Sequence, residues 1–316
     1  MRGYYSLRPM LSPKPWKTLA VLRLIVSVWL SLLLGSVLMA GLQYHPDKTG
    51  AALFYFEFGG ALLCLLTSLA LVILPWNLER FLPRLVVLLL VFYAGFFLAA
   101  FVGKHAGGPG TSVRQMLIGV LSFQGAALIW VALFLREHKT NWRQAFGFEQ
   151  RWPRAFLLGA MTACLFMPVG WTLQAGSART IEWAGKRVPR LGIKPEQQQA
   201  VQTMEMAVTW RNRLALGLVT ILLVPVAEEI LFRGILYPWI KHAGFPRLAL
   251  WGTAVLFAAM HMNLITFVPL TILALVLTAL YERTGNLLAP IATHALFNGM
   301  NFTLLYWLQE QASKYQ

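Results

Sequence analysis

Charge is scarce in this 316-residue chain: 12 % of its residues are charged, about half the ~25 % usual in a soluble domain. That shortage excludes a soluble globular enzyme, and the apolar bulk excludes a disordered chain. Cysteine is nearly absent. The two that exist, Cys64 and Cys164, lie inside apolar runs, which excludes a secreted disulfide scaffold and gives no redox or thiolate-metal signal; both read as small buried hydrophobes. No repeat of 20–50 residues and no low-complexity tract is present. The helical zinc signature His-Glu-x-x-His is missing too, which excludes a zincin.

What is there is apolar. Hydrophobic residues make up 58 % of the chain and the mean hydropathy is +0.60. Runs of about 18 or more such residues recur, matching the ~20 helical residues that cross a hydrocarbon core of about 30 Å. Every backbone polar group in lipid must be bonded within its own segment or a closed barrel. The expected fold is therefore all-α, a polytopic membrane protein of eight or nine helices. Spans are expected at about 18–42, 51–75, 84–102, 113–135, 154–175, 214–237, 248–262, 264–281 and 287–307, with a wetter stretch over 176–213. The first run is too long for the apolar region of a signal peptide and reads as a retained helix.

Lys and Arg outnumber Asp and Glu by 27 to 12, giving a net charge of +15. The basic residues sit between apolar runs, so topology and anionic headgroups account for them and nucleic acid is not an expected partner. The N-terminal tail and the loop from Arg136 to Arg154 are the most basic early loops, which places the N-terminus in the cytoplasm. The segment 176–213 holds seven Lys/Arg yet falls outside on this count, which disagrees with the rule unless it is an interfacial amphipathic stretch or one earlier span is miscounted. A bacterial cytoplasmic membrane is the expected location. Four regions follow: a cytoplasmic tail, 1–17; an N-terminal membrane region of unassigned role, 18–213; a chemistry-bearing bundle, 214–308; and a short tail, 309–316.

The polar residues divide the chain. Before residue 214 the apolar runs contain chiefly Arg23, Glu57 and Gln124; after it they contain Glu228, Glu229, Arg233, His261, His294 and Asn298. An ionisable side chain at mid-membrane costs about 2.5–3.5 kcal/mol on insertion scales, so it faces a cavity or a partner and marks function by default. Arg23 lies near a span end and is expected to snorkel; Glu57 is expected to do likewise or to bond a neighbouring helix. Glu229 and Arg233 are i,i+4 and share a helix face. Arg233 is expected to neutralise Glu229 and to leave Glu228 facing a cavity, as a general base would. His294 and Asn298 have the same i,i+4 spacing. A carboxylate, two imidazoles and an amide donor are the parts of a hydrolytic site. The same groups also suit a metal site or a proton relay.

At these residues the chain resembles the CPBP family of intramembrane proteases, named for CAAX proteases and bacteriocin-processing proteins. Its three motifs stand in order as Glu228-Glu229-Ile-Leu-Phe-Arg233, Phe257-Ala-Ala-Met-His261 and His294-Ala-Leu-Phe-Asn298. The flanks Phe232-Arg233-Gly234 and Glu282-Arg-Thr-Gly285-Asn-Leu-Leu-Ala-Pro290 are also similar. The similarity covers about Leu214 to Leu308. The resemblance implies hydrolysis of a peptide bond within or beside the membrane, in a membrane protein or peptide. By it, Glu228 activates water with His261 as partner, His294 and Asn298 bind the oxyanion, and Glu229 and Arg233 position the site. A glutamate mechanism without a cofactor is preferred, because Asn298 is a poor metal ligand and the cluster lacks a third histidine. Zinc held by Glu228, His261 and His294 is the alternative. The partners are membrane lipids and the substrate. Two other functions use the same groups: an ion- or proton-coupled transporter, and a catalytically silent scaffold of the same fold.

Overall fold

The computed structural model describes residues 14, 16–43, 51–73, 113–192 and 194–314. Among them there are helices and turns but no strand. In order they are α1 (Thr18–Gln43), α2 (Ala51–Ile73), α3 (Val113–Glu137), the short α4 (Trp142–Phe146), α5 (Trp152–Arg187), α6 (Gln199–Glu205), α7 (Trp210–His242), α8 (Pro246–Ala259), α9 (Leu264–Thr284) and α10 (Leu288–Ser313). Six of the described helices are long and apolar enough to cross a membrane: α1, α2, α3, α5, α7 and α9. The all-helical, multi-pass reading is borne out. The expected span at 84–102 lies outside the described residues.

Two boundaries and the burial of the cysteines differ from expectation. The fifth helix does not stop at 175 but runs 36 residues to Arg187, about 54 Å at 1.5 Å per residue. Polar residues after Gly176 read as a span end, yet a helix that leaves the lipid continues readily through such residues. The segment expected at 248–262 is a helix of only 14 residues, about 21 Å and too short to cross alone. His261 therefore stands beyond its end. Cys164 is exposed on α5 rather than buried, and Cys64 is half-buried.

The chain forms two compact units, one of Lys17–Phe134 and one of Leu135–Gln316 together with the N-terminal segment through Trp16. In the first, α1 and α2 meet along an apolar seam of Leu30, Val37, Ala61, Leu65 and Val72. Trp130 of α3 donates its indole N–H to Ser31 Oγ at 2.9 Å. Glu57 and Gln124 are buried in this unit.

In the second unit α5 packs on α9 and α10, and α8 packs on α9. Small residues let α5 and α10 come close: a Cβ on Gly159 would strike the carbonyl oxygen of Ala289, and Thr293 donates to Gly159 O at 3.0 Å. The start of α10 is anchored by two turns that zip together. Leu287 N–H donates to Phe146 O at 2.9 Å and Asn286 Nδ2 to Gln150 O at 2.6 Å. Gly147 and Gly285 close these turns with φ of 74° and 64°, a conformation that disfavours any Cβ. His294 follows one and a half turns into the helix so anchored.

Candidate active site

The central helix α7 is not a uniform α-helix. Two segments, Val219–Leu223 and Ile230–Leu236, have π geometry, and the Val224–Glu229 turn between them carries both glutamates. Each π segment ends just before a proline, and each leaves a carbonyl without its helical donor. Val224 N–H reaches back five residues to Val219 O. Thr220 O thus loses its α-type donor, and its π-type donor would be Pro225, which has no N–H. Asn298 of α10 supplies the missing bond, Nδ2 to Thr220 O at 3.0 Å. At the second segment Tyr237 N–H reaches Phe232 O, and Pro238, which stands where the α-type donor to Gly234 O would be, has no N–H. Here the indole N–H of Trp16 caps Gly234 O at 3.2 Å. A backbone carbonyl unpaired at membrane depth costs several kcal/mol, so these side chains are what permit the glutamate-bearing turn its bulges.

On that turn Glu229 is fully buried and its Oε1 accepts two hydrogen bonds, from Arg233 Nη1 and from His294 Nδ1, each at 2.9 Å. The expected Glu229–Arg233 ion pair is present, and neither side chain is more than 1 % exposed. Arg233 also donates from Nη2 to Ala274 O at 3.2 Å and lies 4.6 Å from the Phe257 ring centre. The guanidinium thus has a carboxylate, a carbonyl and an aromatic face beside it, partners that a charge buried this deeply requires. An ionised carboxylate only accepts, so the bond from His294 puts the proton on Nδ1 and turns Nε2 the other way. Nε2 then lies 4.0 Å from Glu228 Oε2. That carboxylate oxygen is buried and accepts no hydrogen bond from the described residues, while the Glu228 side chain as a whole is 19 % exposed.

The remaining expected residues stand around this core. His261 lies in the turn between α8 and α9, with Nδ1 2.8 Å from Phe257 O. The Phe257 ring joins the two histidines: its centre is 5.0 Å from that of His261 and 5.7 Å from that of His294. Asn298 spends one amide hydrogen on Thr220 and keeps a second. Glu228, Glu229, Arg233 and His294 are thus brought into direct register, Asn298 one turn beyond His294, and His261 across the Phe257 ring. The structure does not bring together the expected zinc ligands Glu228, His261 and His294. Among the described residues no group of three His, Cys, Asp or Glu side chains is placed to hold a metal ion.

Sequence reasoning missed Trp16, Thr220 and the two π turns. Prolines 225 and 238 inside one apolar run were the available signal, since a mid-helix proline must leave a carbonyl unpaired. It missed also the pair that Glu282 forms across helices, accepting from Tyr237 Oη at 2.8 Å and Lys241 Nζ at 2.5 Å.

Comparison with known proteins agrees with the motifs. A stretch of 83 residues, 25 % of this chain, is 35 % identical to the uncharacterized protein YpbD of Bacillus subtilis (strain 168). The match spans 40 % of that relative's length. No solved structure matches the chain. The family model described as type II CAAX prenyl endopeptidase, Rce1-like, matches residues 210–300, the stretch holding all three motifs, so the resemblance to the CAAX-protease family is borne out over the glutamate-bearing helix and the histidines that face it.

Proposed function

We propose that the chain is an intramembrane endopeptidase in which Glu228 activates the water that attacks a peptide carbonyl. The observation that carries this reading is the buried Glu228 Oε2, without a donor among the described residues, 4.0 Å from His294 Nε2. Glu228 takes a proton from the water as the oxygen bonds to the carbonyl carbon. It then returns that proton to the departing amine nitrogen as the C–N bond breaks. Carboxylic acid and amine are released and Glu228 regains its charge. The oxyanion formed in between is met by His294 Nε2–H, when that ring is protonated, and by the second amide hydrogen of Asn298. Glu229 and Arg233 hold the His294 ring so that Nε2, not Nδ1, faces the reacting atoms. His261, with Nδ1 2.8 Å from Phe257 O, stands across the Phe257 ring from His294. The substrate is a membrane protein or peptide with an extended, apolar segment, and the membrane is the cytoplasmic membrane of a bacterium with the N-terminus inside.

The test compares peptide termini in membranes of cells carrying the wild-type chain with those of cells carrying Glu228→Gln. New termini should depend on Glu228 and fall by about 10²- to 10⁴-fold in the variant, with equal protein in the membrane. Equal termini at equal abundance would overturn the proteolytic reading. Gradient-driven uptake in proteoliposomes, lost on the same substitution, would replace it with a transporter.

A further inference from the structure

We infer that Trp16 is a positioning residue for the candidate site, acting through the π turn that carries Arg233. The inference deepens the endopeptidase reading and rests on it. Trp16 is separated from the bundle in sequence by the whole unit Lys17–Phe134, yet it belongs to the compact unit that holds the glutamates. Its indole is buried, and its N–H donates to Gly234 O across 218 residues of sequence. The ring edge meets His138, centre to centre 5.3 Å. Two residues earlier, Lys14 Nζ donates to Ala145 O at 2.7 Å, on the short helix whose Phe146 ring lies against Gly234. The N-terminal segment is therefore seated at three places around one stretch of backbone.

That stretch is where α7 changes from π back to α geometry. Pro238 cannot donate, so the change leaves a spare carbonyl that must find a partner or drive the helix into another register. Gly234 immediately follows Arg233. A change of register there rotates the guanidinium off Glu229 Oε1, which frees the oxygen that holds His294 Nδ1. The chain of contacts is short: indole to Gly234 carbonyl, Arg233 to Glu229, Glu229 to His294. Asn298 performs the matching task at the first π turn, but Asn298 also lies beside His294. The contacts described for Trp16 are with Gly234 and His138 and not with the reacting groups, so its effect is expected to pass through helix register.

The experiment uses the full chain in nanodiscs and membranes, with Trp16→Phe, which keeps the ring and removes the donor. Glu228-dependent termini should form about tenfold more slowly. Amide exchange at Gly234 and Ile235 should quicken, and isotope-labelled histidine NMR should show the His294 Nδ1–H signal displaced or lost. Trp29→Phe, an exposed indole on α1, should change none of these. The decisive arm is Pro238→Ala, which restores a backbone N–H. In that background Trp16→Phe should cost less than twofold, because the helix supplies its own donor. An equal cost in both backgrounds, or wild-type exchange and histidine signals in Trp16→Phe, would overturn the inference. Exchange and NMR do not require proteolysis, so a failed endopeptidase reading, seen as termini indifferent to Glu228→Gln, remains distinguishable. Should Trp16→Phe alone fail to accumulate, the cost measured in the Pro238→Ala background decides.

Discussion

The two compact units bury polar groups on different terms. In the unit of Lys17–Phe134 the helix contact is an apolar seam, Leu30 and Val37 against Ala61 and Leu65, and several of its helical glycines face open space. In the bundle unit the helices are cross-linked by polar contacts between distant segments: His294 to Glu229, Asn298 to Thr220, Trp16 to Gly234 and Thr293 to Gly159. Gly147, Gly159, Gly170, Gly217 and Gly234 of that unit meet rings or backbone, although Gly176, Gly192 and Gly244 face open space. Apolar seams tolerate substitution of similar size, whereas a buried hydrogen-bond network loses far more when one member is removed. A membrane scaffold can be built the first way. A site that must hold one imidazole tautomer against two carboxylates needs the second.

The largest expected break in that comparison is Arg233→Met. It strands Glu229 as a buried charge with only His294 beside it, and loss of one partner of a buried pair costs about 3–5 kcal/mol. Thermal unfolding in detergent should fall accordingly and Glu228-dependent termini should vanish. Arg233→Lys should recover part of the stability but little activity, since an ammonium cannot reach Glu229 and Ala274 O together in the guanidinium's planar fork. The corresponding change in the other unit, Glu57→Gln, should cost less than about 1 kcal/mol. A Glu57 effect as large as that of Arg233 would remove the distinction between the units.

Next in size is a pair of glycines. Gly159→Leu pushes a side chain into the backbone of Ala289 and the methyl of Ala292, an overpacking expected to cost about 3 kcal/mol. Gly59→Ala, where no atom stands within 4 Å of the added carbon, should change stability by less than about 0.5 kcal/mol. Comparable melting shifts for the two would mean that α5 and α10 are free to move apart.

How much of this was legible in the sequence follows from the range of each interaction. The all-helical class was readable because bilayer thickness sets a run length that any 20-residue window displays. The Glu229–Arg233 pair was readable because i,i+4 is a local rule. The role of Glu229 as the holder of His294 was not, since 65 residues separate them and no spacing rule reaches that far. Nor was the bonding of Asn298 to Thr220, which depends on a π turn whose cause is only half visible, in Pro225. The end of α8 at Ala259, which leaves His261 in a turn, could not be read from a run that continues apolar through Met262. Trp16 was the least visible of all, a lone aromatic in a polar tail whose partner is a carbonyl.

Asn298→Ala comes third and separates holding from catalysis. Losing the donor to Thr220 O should cost about 1–2 kcal/mol of stability. Asn298→Ser, too short to reach that carbonyl in the same rotamer, should behave alike. If both variants melt like the wild type but form fewer termini, the amide serves the reaction alone, and the cap on the first π turn is not what keeps it in place.

The smallest effect concerns Lys14, where burial holds the ammonium pKa below the usual 10.5. Between the lowered folded value and the unfolded one, the unfolded chain carries a proton that the folded chain has released. Stability attributable to this group therefore rises with pH across that window and is least below the folded value. The neutral amine still donates to Ala145 O, so seating of the N-terminal segment tightens as the desolvated charge is lost. Melting of wild type and Lys14→Met, compared from about pH 8 to about pH 10.5, should show the difference moving in favour of the wild type. The segment that Lys14 seats is the one that carries Trp16 to the Gly234 carbonyl. A difference that stays flat or falls with pH would mean that Lys14 remains hydrated and that Trp16 finds Gly234 without its help.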